Sequence, residues 1–158
     1  MDAAQLATFK ADIEANADGT VVAALAAGDS GAIAAWYNLD ASPDWTVWRS
    51  SLTSAELQKE TVWTELIGRS QGERDTYRIL LANASVDPSD ANIRQAFTDI
   101  FSGVGGAATR TALLVAAKRL ATNAEKLFST GTGSNAVPAI LGYEGSVSYQ
   151  DVGQALNS

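Results

Sequence analysis

The spacing of apolar and polar residues along most of the chain is that of short amphipathic helices. Leu6, Phe9 and Ile13 recur at helical spacing behind Asp2, a residue type that often caps a helix. Further helices are predicted over residues 21–27 and 73–83. Another is predicted to reach residue 37 behind a cap at Asp29 or Ser30, and another to follow a cap at Thr53 or Ser54. A further helix is predicted to begin at Pro88, with Asp87 as its cap. The pattern predicts a mainly α fold, built as a single helical bundle over residues 1–128. The four tryptophans are expected to be anchors of the core or of an interface. The expected large anchors are Trp36, Trp45, Trp48, Trp63, Phe97, Phe101 and Phe128.

Two segments, residues 44–48 and 107–129, need separate secondary-structure predictions. Residues 44–48 are aromatic and β-branched, which favours a strand. Because no neighbouring segment offers a partner strand, we expect an irregular or short helical segment that inserts Trp45 and Trp48 into the core. Residues 107–129 carry a continuous apolar stripe and are predicted to form the longest helix.

The character of the sequence changes after Phe128. Residues 129–158 contain no Lys or Arg and are rich in Gly, Ser and Asn, which predicts an extended, irregular C-terminal arm. Val147 and Tyr149 alternate as in a short β-strand. Such an arm either wraps over its own domain or docks on a neighbour, and we expect docking. The predicted partner-binding residues are Val137, Ile140, Leu141, Tyr143, Val147, Tyr149 and Val152.

Composition removes several classes of function. The chain has no cysteine and no histidine, so thiolate metal sites, disulfides and the commonest general base are excluded, and we expect no metal or cofactor. A formal charge of −7 argues against a protein that binds nucleic acid directly, although it does not exclude a position close to DNA. The chain has no apolar run long enough to span a membrane and no leader pattern at Met1. We therefore expect a protein that is cytoplasmic or is built in the cytoplasm, with no membrane association.

Candidate catalytic groups are few. Glu56 and Glu60 lie four residues apart, the arrangement of an exposed pair on one helix face. A Ser or Thr nucleophile paired with Lys is not evident, because seven residues separate Thr111 from Lys118. The glycines of 103–106 lack the phosphate-loop pattern and predict a turn between helices. The sequence therefore predicts a protein that is not an enzyme.

The clustered bases Lys118, Arg119 and Lys126 form the best candidate contact patch. Basic residues near the end of a helix complement its dipole, and the same residues can face an acidic partner. Both interpretations stay open.

Several segments resemble small structural proteins of tailed bacteriophages that are encoded among the head and tail genes. The likeness covers KRLATNAEKLF at 118–128, STGTGS at 129–134, PAILGYEG at 138–145, SYQDV at 148–152, LATFKADI at 6–13 and AAWYN at 34–38. These segments carry no catalytic signature, so they indicate relatives and not a reaction.

The resemblance implies a virion component, and within that group we expect a head–tail connector, or adaptor, that forms an oligomeric ring in the neck of the particle. The implied partners are the portal protein, neighbouring copies of the chain and a further tail or neck protein, with DNA passing without specific binding. Three alternatives remain. The chain can be a capsid-associated decoration protein, a virion-associated hydrolase acting through carboxylates such as Glu56, Glu60 and Glu73, or a regulatory or chaperone-like domain outside the particle.

Overall fold

A computed structural model describes all 158 residues. The prediction of a mainly α fold is confirmed, because ten α-helices are joined by six short strands and one 3₁₀ helix. In chain order these elements are α1 (Ala3–Ala15), α2 (Gly19–Ala27), α3 (Ser30–Tyr37), β1 (Thr46–Trp48), β2 (Leu52–Thr53), α4 (Ser54–Glu60), α5 (Trp63–Ile67), α6 (Gln71–Ala82), β3 (Ser85–Val86), α7 (Ala91–Ile100), the 3₁₀ helix (Val104–Gly106), α8 (Ala107–Ala116), β4 (Lys118–Leu120), α9 (Asn123–Leu127), β5 (Ser129–Thr130), β6 (Ile140–Leu141) and α10 (Tyr149–Leu156).

The chain divides into two compact units. Unit 1 combines Met1–Val47 with Leu120–Ser158, and unit 2 is the intervening Trp48–Arg119. The chain leaves unit 1 within β1 and returns to it within β4. The boundary predicted after residue 128 is therefore not where the units divide. Short-range sequence patterns do not show this division, because unit 1 is completed by segments far apart in the sequence.

Unit 1 is built around α1, α2, α3 and α10. Side-chain caps start the first three of these helices, with Asp2 on α1, Asp18 on α2 and Asp29 on α3. At the centre of the core the rings of Phe9 and Tyr37 meet edge to face with their centroids 4.7 Å apart. The remaining fully buried large side chains of this core are aliphatic and include Ile13, Val21, Ile33 and Val152.

The prediction of an extended C-terminal arm is wrong, since much of residues 129–158 folds into unit 1. β6 pairs antiparallel with β5, and α10 packs against α1 and α3. The Asn38 side chain donates to the Val147 carbonyl and accepts from the Val147 N–H, both at 2.8 Å. The buried Glu125 carboxylate accepts from the Gly145 N–H at 3.3 Å. These polar contacts hold the loop before α10 on unit 1, where Val152 is fully buried.

The expectations for residues 44–48 and 107–129 are also wrong, and for one shared reason. The backbone N–H of Ala121 donates to the Trp45 carbonyl at 2.8 Å, and that of Arg49 donates to the Ala117 carbonyl at 2.9 Å. Residues 117–121 therefore supply the extended partner that the sequence around Trp45 lacks. The helix predicted over 107–129 is consequently interrupted, and it continues only as the short α9.

Unit 2 packs α4, α6, α7 and α8 around one apolar core. The fully buried side chains at its centre are Leu52, Leu57, Tyr77, Phe97, Phe101 and Leu113. β2 pairs antiparallel with β3, with Leu52 opposite Val86. The Tyr77 hydroxyl donates to the Leu57 carbonyl at 3.2 Å and lies 2.6 Å from the Thr61 hydroxyl, so this buried phenol is satisfied.

Candidate protein-interaction surface

Helix α5 of unit 2 is held by polar contacts from Glu65, its middle residue, and from Arg69, two residues after its end. The Glu65 carboxylate accepts hydrogen bonds from the N–H groups of Ala108 and Thr109, at 3.2 and 2.8 Å. It thus caps the first turn of α8, and the contacts with Thr109 lower the pKa of Glu65. After α5, the Arg69 guanidinium donates to the Ser102 carbonyl at 2.8 Å. These contacts fix α5 against the segment that contains the 3₁₀ helix.

Three large apolar side chains of this region face solvent. Trp63 and Ile67 lie four residues apart on α5, a spacing that places them on one helix face, and they are 51% and 72% exposed. Val104, on the adjoining 3₁₀ helix, is 93% exposed. We call Trp63, Ile67 and Val104 the α5 patch. Single exposed apolar residues are common, but a rigid group with an aromatic member is typical of contact surfaces.

The tryptophans, predicted to be core or interface anchors, are less buried than the phenylalanines of unit 2. Trp36, Trp45 and Trp48 are half-buried and Trp63 is mostly exposed, whereas Phe97 and Phe101 are fully buried as expected. The helical spacing of Trp63 and Ile67 was visible in the sequence. Spacing alone does not show whether that helix face is covered.

The seven residues predicted to bind a partner through the arm have different environments. Val147 and Val152 are buried in the core of unit 1, and Leu141 and Tyr143 are half-buried against unit 1. Only Val137, Ile140 and Tyr149 are exposed. The prediction that all seven bind a partner is therefore wrong for the two buried valines, because both side chains already lie in the apolar core of unit 1.

The predicted basic patch does not lie on one helix. Lys118 and Arg119 belong to β4, and Lys126 belongs to α9. The Lys118 ammonium lies 5.4 Å from the ring centroid of Trp48, and that of Lys126 lies 5.3 Å from the ring centroid of Trp45. These two lysines therefore form cation–π contacts within the chain.

The carboxylates considered as hydrolase candidates include two helix caps. Glu56 accepts from the N–H and hydroxyl of Thr53, both at 2.8 Å, and pairs with Arg49 at 2.8 Å. Its hydrogen bonds with Thr53 and the nearby Arg49 lower the pKa of Glu56 to about 2. Glu73 accepts from the Ser70 N–H at 2.7 Å at the start of α6. Glu60 ends α4 and borders an alanine-lined groove of about 570 Å³.

The glycine-rich segment before α8 is a tight turn, as the sequence predicts. Gly103 has a φ of 68°, in the left-handed region that favours glycine. A Cβ on Gly106 would lie 2.6 Å from the Phe101 backbone, so this position requires glycine for close approach. No cluster of three or more acidic, cysteine or histidine side chains is arranged to hold a metal ion. None of the helices has the length and apolar character needed to cross a bilayer.

Comparison with protein-family models, with curated proteins and with solved structures gave no match to this chain.

Proposed function

We propose that the chain is a structural protein of a tailed-phage particle, acting without catalysis as a head–tail connector subunit that binds the portal protein through the α5 patch. The setting comes from the resemblance of residues 6–13, 34–38, 118–134, 138–145 and 148–152 to phage structural proteins. The observation that carries a binding role is the α5 patch, whose Trp63, Ile67 and Val104 are solvent-exposed on a fixed piece of backbone.

Rigid exposed apolar groups suit assembly for an energetic reason. Burying an exposed Ile or Trp side chain at an interface contributes favourable free energy in proportion to the apolar area covered. Since Glu65 and Arg69 already fix α5, little conformational entropy is lost when a partner covers it. The same surface can serve contacts with the portal protein, with neighbouring copies or with a further neck protein.

The charge of the chain agrees with a position beside a DNA channel. At −7 the protein repels phosphate overall, and two of its lysines already lie over tryptophan rings. DNA would then pass the ring without being held, which is what a connector requires.

A binding assay with the portal protein of the same particle tests the proposal. Ile67→Asp places a charge within the α5 patch and should weaken portal binding by about tenfold or more, the scale of an interface hot spot. Ile79→Asp is the matched control, because Ile79 lies on α6, outside the α5 patch, and is 67% exposed. The control should bind portal as the unchanged protein does.

Circular dichroism of both variants checks that each remains folded. Equal portal binding by Ile67→Asp and Ile79→Asp would refute the role of the α5 patch. Failure of the unchanged protein to bind portal or any other neck component would refute the connector assignment itself.

A further inference from the structure

Unit 1 contains a pocket that differs in character from the α5 patch. Its volume is about 710 Å³, within the range of small-ligand and side-chain sites. All of its lining residues belong to unit 1, and both aromatic and acidic side chains contribute. The ones that matter for recognition are Asp12, Asp18, Trp36, Asp40, Trp45 and Lys126.

Two of the carboxylates are held in place by neighbouring groups. The Tyr37 hydroxyl donates to Asp12 Oδ2 at 2.5 Å, and Asn16 Nδ2 donates to the Tyr37 oxygen at 3.3 Å. Asp18 Oδ1 accepts from the Thr20 N–H at 2.8 Å as the cap of α2. Hydrogen bonds from Thr20 and Trp36 lower the pKa of Asp18. An ionised carboxylate has about four acceptor positions, so Asp12, which accepts from the Tyr37 hydroxyl, keeps capacity for an incoming donor.

The aromatic wall formed by Trp45 is also fixed, and it already contacts a cation. Trp45 Nε1 donates to Ser129 Oγ at 2.8 Å, and Ser129 Oγ donates to the Lys126 carbonyl at 2.9 Å. The Lys126 ammonium lies 5.3 Å from the Trp45 ring centroid. The pocket therefore already contains one cation–π contact, and Trp36 supplies a second indole ring.

The charges in the pocket do not balance. Asp12, Asp18 and Asp40 supply three carboxylates, against the single ammonium of Lys126. A cation entering the pocket would reduce this repulsion, and an anion would increase it.

We propose that this pocket binds a cationic side chain of a partner protein, with arginine favoured over lysine. A guanidinium is planar, stacks on indole rings and donates two parallel hydrogen bonds to a carboxylate, so it uses both kinds of group in the pocket. That the cation belongs to a protein rests on the proposed assembly function. The cation preference follows from the pocket alone.

A peptide titration of the full chain tests the preference. The probe is acetyl-Gly-Arg-Gly-amide, and its control is the same peptide with citrulline in place of arginine, which keeps the shape and removes the charge. NMR signals of the Trp36 and Trp45 indole N–H groups report occupancy. The arginine peptide should shift both signals saturably with a dissociation constant of about 1 mM, as for a single small anchor, and the citrulline peptide should not.

Two triple variants with the same change in net charge show whether the arginine peptide binds in this pocket. Asp12→Asn, Asp18→Asn and Asp40→Asn together keep an acceptor for Tyr37 and a cap for α2, and should weaken peptide binding by about tenfold or more. The control exchanges three exposed carboxylates of unit 2 and should bind as the unchanged chain does. Its substitutions are Asp75→Asn, Asp87→Asn and Asp99→Asn.

Three results would overturn the proposal: no shift of the two indole signals, equal shifts with the citrulline peptide, or equal weakening in both triple variants. Equal shifts with citrulline would indicate a neutral ligand. The titration uses no phage component, so it can succeed or fail independently of the connector assignment. Absence of the chain from particles would refute the connector role and leave the cation preference standing.

Discussion

Replacing Val152 by alanine tests whether the C-terminal segment belongs to the core of unit 1. Val152 lies on α10 and is fully buried among residues of α1 and α3. Its position in the sequence, within a lysine-free and arginine-free stretch, predicted a partner-binding residue instead. The two interpretations predict different effects of the substitution on the free energy of unfolding of the isolated protein. A partner-binding residue contributes little to that free energy while the partner is absent.

The magnitude follows from what the substitution removes. Val152→Ala deletes two buried methyl groups, at about 0.8 kcal/mol each, and leaves a small cavity. Alanine favours helix over valine by about 0.5 kcal/mol, which offsets part of the loss. The net destabilisation should be about 1.5–2 kcal/mol. For a chain of this size, that corresponds to a fall in Tm of about 3–8 °C.

The assay is urea or thermal unfolding followed by circular dichroism, with Val137→Ala as matched control. Val137 is the same residue type in the same C-terminal segment, but it is 59% exposed. Its substitution should change the free energy of unfolding by less than about 0.5 kcal/mol. Equal effects of the two substitutions would refute the burial of α10 in unit 1.

Three further predictions concern local geometry and charge. Gly133→Ala should cost about 2–4 kcal/mol in urea unfolding, because its Cβ would lie 2.1 Å from the Trp45 ring at a φ of 64°; unchanged stability would contradict this close approach. Glu65→Ala should lower the midpoint of urea unfolding, since the first turn of α8 loses its cap, and an unchanged midpoint would contradict the cap. The pKa of Glu56 is lowered from 4.5 to about 2, so its contribution is complete above about pH 4.5 and is lost as the pH falls towards 2. Glu56→Gln should flatten the decrease in stability over that range, and an identical pH dependence would exclude the contribution.

The sequence allowed the helices with clear end signals to be predicted. Asp2 caps α1 as expected, and the caps of α3 and α4 are Asp29 and Thr53, each one of two predicted candidates, because capping depends on residues within one turn. The helix predicted to begin at Pro88 begins instead at Ala91, with Asp90 as its cap. The elements that failed depend on distant partners. β1 and the break within 107–129 require pairing between segments far apart in the chain, and the apolar stripe over 107–129 is compatible with a helix until that partner is known.

Functional surfaces were predicted less well than helices, for a related reason. Spacing showed that Trp63 and Ile67 share a helix face, but it could not show that this face is uncovered. It likewise showed regularly spaced apolar residues after Phe128, but not that α1 and α3 cover Val152. The pocket with Asp12, Trp45 and Lys126 is formed by three separate parts of the sequence, so no local motif predicts it.

Quantitative mass spectrometry of purified particles tests the proposed connector role most directly, by comparing the copy number of this chain with those of the portal and major capsid proteins. The account predicts that the chain is present at a ring stoichiometry set by the portal. Absence from mature particles, or a copy number that follows the major capsid protein, would contradict it.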